Sequence, residues 1–256
     1  MLLRADRLTK RFGDFVAVDS VSFDLDAGQT LALIGHSGCG KTTTLKMLNR
    51  LIEPDEGTVM LGGVSAFDMA GPEWRRRIGF VIQNAGLFPH KSVADNVLVT
   101  PKLLGWDDAR QHAKLKSLLD MVGLPAAQYA ARFPAELSGG QRQRIGLARA
   151  LAGEPDIVLM DEPFAALDPL TKSGLIADIA RLKVELGFAS VLVTHDFSEA
   201  LQLADRIAVM DGGRIIQAGT ARELIRAPAS NAVENMLAAP REMADTVGKA
   251  FREAGA

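Results

Sequence analysis

The order of hydrophobic and polar positions changes period several times along the chain, and each change marks a predicted element. Residues 3–12 and 16–25 carry short alternating runs, Val16 and Val18, then Val21, Phe23 and Leu25, divided by Gly13 and Asp14. They read as antiparallel strands joined by turns. Residues 31–34 are a compact apolar run, the pattern of a buried strand, and they break into a glycine-punctuated loop that opens onto a helical pattern over 41–50. The turn signal Pro54-Asp55-Glu56-Gly57 precedes a strand over 58–61 that ends at Gly62-Gly63. A short helical stretch over 68–77 carries Trp74, and the apolar run 78–82 delivers Gln83 at a strand end. Residues 84–90 are irregular and hold Leu87 and Phe88, a pair either packed under a neighbouring helix or presented to a partner.

From Ser92 to about residue 152 the period turns helical. Ser92 is placed to cap a helix running through 95–102, and residues 107–122 put Leu115, Leu118, Leu119 and Val122 on one face before Gly123-Leu124-Pro125 ends it. His112 falls among charges on the opposite face, where solvent exposure is the simplest reading. The pattern predicts an all-helical lobe, about residues 91–152, inserted into an α/β domain. Next come a strand over 157–160, a turn over 163–168, and Pro169 opening a helix over 170–186. A strand over 190–194, a helix over 196–204 and a hairpin of 207–210 with 215–218 follow. Beyond Thr220 the chain is helical and alanine-rich, with Pro228 and Pro240 expected as breaks. That tail reads as a peripheral appendix without a catalytic constellation.

A length of 256 residues suits one large domain or one domain with an inserted lobe. The net charge of −2 offers no basic field, so no nucleic-acid partner is expected. Cys39 is the only cysteine, which excludes an intramolecular disulfide framework and fits a reducing compartment, the cytoplasm. The amino terminus is charged too early for a signal peptide, so export is not expected. No run approaches the ~18 apolar residues needed to span a bilayer. Any membrane role therefore uses a partner.

Candidate chemistry gathers where predicted strands end. After 31–34 come Gly35, His36, Ser37, Gly38, Cys39, Gly40, Lys41, Thr42 and Thr43, the pattern G-x-x-x-x-G-K-[ST]. Its glycines permit tight turns and leave no Cβ between backbone amides and an anion, so the loop and the positive end of the next helix form a phosphate cradle. Lys41 can reach β- and γ-phosphates, and the Thr42 hydroxyl is placed to ligate a bridging Mg²⁺. Cys39 reads as a small filler in this loop. A second anion seat is Leu137-Ser138-Gly139-Gly140-Gln141, where Ser138 is a good N-cap and two glycines bare amides at a helix start. The arginines that follow, Arg142, Arg144 and Arg149, read equally as a solvated face. Asp161 and Glu162 end an apolar strand, where an open parallel sheet places its ligands. One acid can hold Mg²⁺ through water and the other can orient or deprotonate an attacking water. Taken singly, Gln83 and His195 read as loop residues at strand ends, and Phe12 as core.

Taken together and in this order, the Lys41 loop, Gln83, residues 137–141, Asp161-Glu162, Ala166-Leu167-Asp168 and His195 resemble the ATP-binding-cassette ATPases over about residues 2–220. The resemblance implies an α/β P-loop NTPase fold with a RecA-like core, an N-terminal antiparallel β-subdomain and the inserted helical subdomain. The nucleotide-binding domain would span residues 2–237, with a short helical tail at 238–256. It further implies that residues 35–43 bind ATP and Phe12 stacks on adenine. Gln83 would sense Mg²⁺ and the attacking water, Asp161 would hold the metal with Thr42, Glu162 would be the general base, and His195 would contact the γ-phosphate. Ser138, Gly139, Gly140 and Gln141 would bind the ATP held by a second copy in a head-to-tail dimer, with Asp168 in a loop communicating between subunits. The implied home is peripheral, on the cytoplasmic face of the inner or plasma membrane. Permease subunits would be contacted by the helical lobe and residues 83–90, and a substrate-binding protein would be an indirect partner.

Residues 38–54 and 75–97, with Ile-Gln and Gly-Leu-Phe-Pro-His elements, also resemble the ATPases of bacterial osmoprotectant importers. Those carry glycine betaine, choline, carnitine or proline betaine. Many of them extend into a paired regulatory domain beyond this chain's last residue, so ionic-strength sensing through that module is not carried over. His36 stands where Pro or Glu is commoner, and Phe12 where Tyr or Trp is; neither change removes a phosphate contact. Importers for amino acids, sulfonates or lipids share these motifs, and the cassette is not expected to touch the solute. Two other readings are a soluble cassette protein of translation or DNA maintenance, and a P-loop phosphotransferase in which residues 137–141 would have no role.

Overall fold

Two sheets, seen in a computed structural model that describes residues 1–165 and 167–254, set the frame. Ala166, Gly255 and Ala256 lie outside the described residues. Strands β1 (Leu3–Phe12), β2 (Phe15–Leu25), β4 (Glu56–Leu61) and β5 (Val64–Ser65) form an antiparallel sheet of order β2-β1-β4-β5. Phe12 faces Phe15 across the Gly13-Asp14 turn. Strands β3 (Thr30–Ile34), β6 (Ile78–Val81), β7 (Ile157–Asp161), β8 (Ala189–Thr194), β9 (Arg206–Asp211) and β10 (Arg214–Gly219) form the second sheet, of order β10-β9-β3-β8-β7-β6. Every pairing in it is parallel except β9 with β10. β3 and β8 are buried at every position, which is why they read as unbroken apolar runs.

Register then sets the site. Ile34 pairs with Thr194, and Asp161 with Val193. The chain therefore leaves β3, β7 and β8 side by side at one edge, releasing Gly35, Glu162 and His195. Open parallel sheets bind ligands at this edge, outside the carboxyl ends of their strands.

Helix α1 (Lys41–Leu48) follows β3 and stops short of Arg50, which takes φ +49. Helix α2 (Gly71–Arg76) buries Trp74, whose Nε1 donates to the Leu48 carbonyl at 2.9 Å. The inserted lobe comprises α3 (Val93–Val97), α4 (Val99–Leu103), α5 (Asp108–Met121), α6 (Ala126–Tyr129) and α7 (Gly139–Leu151). Ser92 caps α3 as expected, but the single helix anticipated through 95–102 is divided at Leu98. Pro101 has no N–H for the Val97 carbonyl and its ring crowds that group, so the helix cannot run straight through. Leu115, Leu118, Leu119 and Val122 join Ile145, Leu151 and Leu175 in one core, where full burial of each leucine is worth about 1.5–3 kcal/mol. Half-buried Trp106, just before α5, carries the Arg110 guanidinium 3.5 Å from its ring centroid.

Helices α8 (Pro169–Leu186), α9 (Phe197–Leu203), α10 (Ala221–Arg226) and α11 (Asn231–Ala254) complete the chain. Pro228 falls between α10 and α11, but Pro240 breaks nothing, and α11 runs through it and past residue 237. The start of α11 is no appendix either. Val233 and Leu237, each 1% exposed, pack with Ile34, Phe197, Ile207 and Leu224, and this anchoring outweighs the one hydrogen bond the proline removes. Among the described residues no helix is long and apolar enough to cross a membrane.

Candidate functional site

Between β3 and α1 the backbone wraps around Lys41. Its ammonium donates to the Gly35 carbonyl at 2.7 Å and the His36 carbonyl at 2.9 Å, and the side chain is 5% exposed. Its described partners are those carbonyls and the Cys39 sulfur, with no carboxylate among them. A buried cation that touches no carboxylate is costly, and an anion in the loop would supply the missing contact. Two of the glycines answer to the packing behind the loop. A Cβ at Gly35 would lie 2.3 Å from the Met210 carbonyl oxygen of β9, and one at Gly40, where φ is +101, would lie 2.4 Å from the Ala17 carbonyl oxygen of β2. Gly38, at φ +83, has open space where its Cβ would stand. Cys39 is buried in the core beneath, consistent with a filler.

Thr42 Oγ1 donates to Asp161 Oδ1 at 2.9 Å, so a hydroxyl from α1 and a carboxylate from β7 converge. These two hard oxygen donors are what Mg²⁺ takes from a protein when phosphates and waters fill the rest of its shell. Among the described residues no group of three or more His, Cys, Asp or Glu is placed to hold a metal by itself. The residues therefore fit Mg²⁺ arriving with a nucleotide. Burial, countered by the Thr42 hydrogen bond and Lys46 but reinforced by the charge of Glu162, holds the Asp161 carboxyl above its ordinary pKa. Glu162 itself takes φ +45, a region unfavourable to a side chain by about 1–3 kcal/mol, and its N–H donates to the Val193 carbonyl at 3.0 Å. Its Oε1 lies 3.6 Å from Nδ1 of the exposed His195 ring.

Phe12 is half-exposed and lines a cleft of about 260 Å³ with Lys41, Thr42, Thr43 and Glu162. Phe15 lines the same cleft, and sequence reasoning missed it, although the symmetric Phe-Gly-Asp-Phe turn was there to find. Glu162 and His195 share a second cleft of about 570 Å³ with His36 and Ser37, closed on one side by Asn235 and Met236 of α11. The tail was not expected to reach this place. Its approach depends on a packing contact that no local pattern encodes.

Other expected site residues stand apart. Gln83 is exposed beyond β6 and lines neither cleft. Residues 138–141 start α7 and likewise share neither cleft. Ser138 Oγ accepts from the Gln141 N–H at 3.2 Å while Gln141 Oε1 accepts from the Ser138 N–H at 2.9 Å, and Gln141 Nε2 donates to the Tyr129 hydroxyl at 3.3 Å. The Gln141 amide is thus committed to the helix start, leaving the exposed Ser138 and Gly139 as the open part of the seat. Gly140 answers to α8, since a Cβ there would lie 2.3 Å from Thr171 Cγ2. Asp168 is exposed and caps α8, and hydrogen bonds from Thr171 hold its carboxyl below the usual range.

The arginines of α7 are not a solvated face. Arg142 donates to the Leu137 carbonyl at 2.6 Å, and Arg144 donates to the Val122 carbonyl at 2.8 Å and forms an ion pair with Asp178 at 2.8 Å. Arg149 donates to the carbonyls of Ala85 at 2.6 Å and Gly86 at 2.8 Å, with burial pulling its pKa down. It thereby pins a strained turn, because Asn84 and Ala85 take φ +60 and +61. The neighbouring pair divides: Leu87 packs on the lobe core, while Phe88 is exposed beside Ile82 and Arg149 at a cleft of about 330 Å³.

Comparison with known proteins gives four matches. A family model described as ABC transporter matches residues 18–165. The glycine betaine/carnitine/choline transport ATP-binding protein OpuCA of Bacillus subtilis (strain 168) is 44% identical over 241 residues, which is 94% of this chain and 63% of OpuCA. The sulfate/thiosulfate import ATP-binding protein CysA of Mycobacterium bovis is 46% identical over 231 residues, 90% of this chain and 65% of CysA. The chain thus spans less than two thirds of the length of these relatives. Among solved structures, the dimeric ATP-binding cassette MJ0796, in a post-hydrolysis state bound to ADP and Pi, matches with a TM-score of 0.76 at 30% identity, covering 86% of this chain and 98% of that one.

Proposed function

This chain belongs to the ABC transporter family, and we propose that it is the ATP-binding and ATP-hydrolysing subunit of a bacterial importer for an osmoprotectant such as glycine betaine, choline or carnitine. One observation carries the ATPase reading. At a single sheet edge, Lys41 lies buried with no carboxylate among its described contacts, Thr42 touches Asp161 and Glu162 faces His195.

Each residue then has a task. The loop amides of residues 35–43 grip the phosphates, and Lys41 exchanges two loop carbonyls for phosphate oxygens. Phe12 and Phe15 give the adenine an apolar wall. Thr42 and Asp161 would hold Mg²⁺, which would neutralise phosphate charge. Glu162 orients a water for in-line attack and takes its proton, while His195 contacts the γ-phosphate beside it. Gln83 lies outside both clefts and would have to move inward to meet the metal and the water. Phosphoryl transfer is driven mainly by such positioning and charge stabilisation.

The Ser138 seat has neither lysine nor metal donors, so it serves as the lid over ATP held by a second copy in a head-to-tail pair. Charge on ATP draws the halves together and hydrolysis releases them. Residues 83–90 and the cleft beside Phe88 would receive the permease, holding the chain at the cytoplasmic face of the membrane, with a substrate-binding protein delivering solute. Similarity to OpuCA over 94% of the chain supports an osmoprotectant cargo. The 46% identity to CysA favours a second reading, an importer for another small solute such as sulfate.

Purified protein with Mg-ATP should release phosphate, and Glu162→Gln should slow this by about 10²–10⁴-fold, the usual contribution of a general base. Equal rates would refute the assignment. Membrane vesicles rebuilt with the neighbouring permease, offered labelled glycine betaine or sulfate with ATP on the cytoplasmic side, decide between the cargoes.

A further inference from the structure

The first turn of α8 is a junction between parts of the molecule that the proposed mechanism uses separately. On one side Thr171 packs against Gly140 of the second seat, so closely that no Cβ fits between them. On the other side Lys172 turns toward the loop after β8. Its Nζ lies 2.7 Å from Asp196 Oδ2 and 2.5 Å from Glu199 Oε1. Glu199 is 5% exposed, the Thr194 hydroxyl donates to its other oxygen, and the Asp196 N–H donates to Thr194 Oγ1 at 3.0 Å.

Both residues flanking His195 are thus gripped by Lys172, Asp196 directly and Thr194 through Glu199. The imidazole has no comparable hold of its own, being 67% exposed with Glu162 at 3.6 Å as its described ionic contact. Its backbone therefore decides where it stands. Burial opposes the charge on Lys172, but the two carboxylates outweigh it and raise its pKa; burial likewise opposes the charge on Asp196, and Lys172 outweighs it there. Removing the lysine would leave a buried carboxylate unpaired and the loop unpinned.

We propose that Lys172 is a positioning residue for His195, and that the first turn of α8 ties the Ser138–Gly140 seat to the histidine of the same chain's own nucleotide site. The inference rests on the ATPase reading given above. In a head-to-tail pair, a nucleotide bound by the other copy loads the seat, and Thr171 and Lys172 pass that load to His195 as a coupling between sites.

The test is steady-state phosphate release by the full chain over a range of ATP concentrations, for wild type, Lys172→Met, Lys172→Arg and Thr194→Val. Lys172→Met should lower kcat by at least about tenfold while KM for ATP stays within about twofold, the pattern of an interaction that matters only in the transition state. A sigmoidal ATP dependence in the wild type should become hyperbolic. Lys172→Arg, which can still bridge two carboxylates, should restore most of kcat. Thr194→Val exchanges only the hydroxyl for a methyl and should give the same pattern as Lys172→Met, which keeps the test decisive if the methionine variant does not fold. Unchanged kcat in the folded variants, a raised KM with kcat intact, or a hyperbolic wild type would overturn the coupling and leave the ATPase reading standing. A wild type no faster than Glu162→Gln would overturn both.

Discussion

The chain has two helix starts shaped for an anion, and they are finished to different degrees. At α1 the amides are joined by a buried lysine, a hydroxyl touching a carboxylate, and an aromatic wall from the first sheet. At α7 the seat is a serine, bare glycine amides and a glutamine already engaged in capping. The first can bind a nucleotide within one chain. On the proposed reading the second completes a site begun on another copy, which would divide binding and turnover between copies.

The largest expected effect breaks the first seat. Lys41→Ala should raise the Kd for ATP of the isolated chain by about 100-fold or more, as expected when a charge-assisted contact is lost from a buried site. Fluorescent-nucleotide titration measures it, and near-wild-type affinity would remove the distinction between the seats. Ser138→Arg should leave that Kd within about twofold, yet abolish the Mg-ATP-dependent dimer of a Glu162→Gln background in size-exclusion chromatography. A dimer that survives the arginine would mean the second seat is not a lid.

Smaller effects sharpen the contrast. Asp161 has a raised pKa in the folded chain, so what it contributes to stability is present below its ordinary pKa and is lost as pH rises through the raised value. Asp161→Asn should therefore melt higher than wild type at neutral pH without nucleotide, and the gain should vanish in acid. Calorimetry across pH tests the sign. Gln141→Ala, which only loosens a helix start, should lose about 1 kcal/mol in denaturant titration with ATP affinity of the isolated chain intact.

What the sequence disclosed followed from local chemistry. The Lys41 loop, the Ser138 cap and the apolar runs of β3, β7 and β8 each declare themselves within a dozen residues, and the structure carries them as read. What it concealed depends on contacts between distant segments. The Arg149 side chain looked solvated because its acceptors, Ala85 and Gly86, lie more than sixty positions earlier. Pro240 looked like a break because a helix start anchored by Val233 and Leu237 is invisible to propensity. Nothing local in the sequence marks Lys172 and Glu199, on two different helices, as partners, and the fold brings them to 2.5 Å.

The two tryptophans sit in opposite surroundings. Trp74 is wholly buried and bonded to the last turn of α1, while Trp106 is part-solvated under a stacked arginine in the inserted lobe. Their emission should therefore separate into a blue component that reports strain along α1 and a redder one that reports the lobe, giving an unlabelled optical readout of which half moves first when nucleotide arrives.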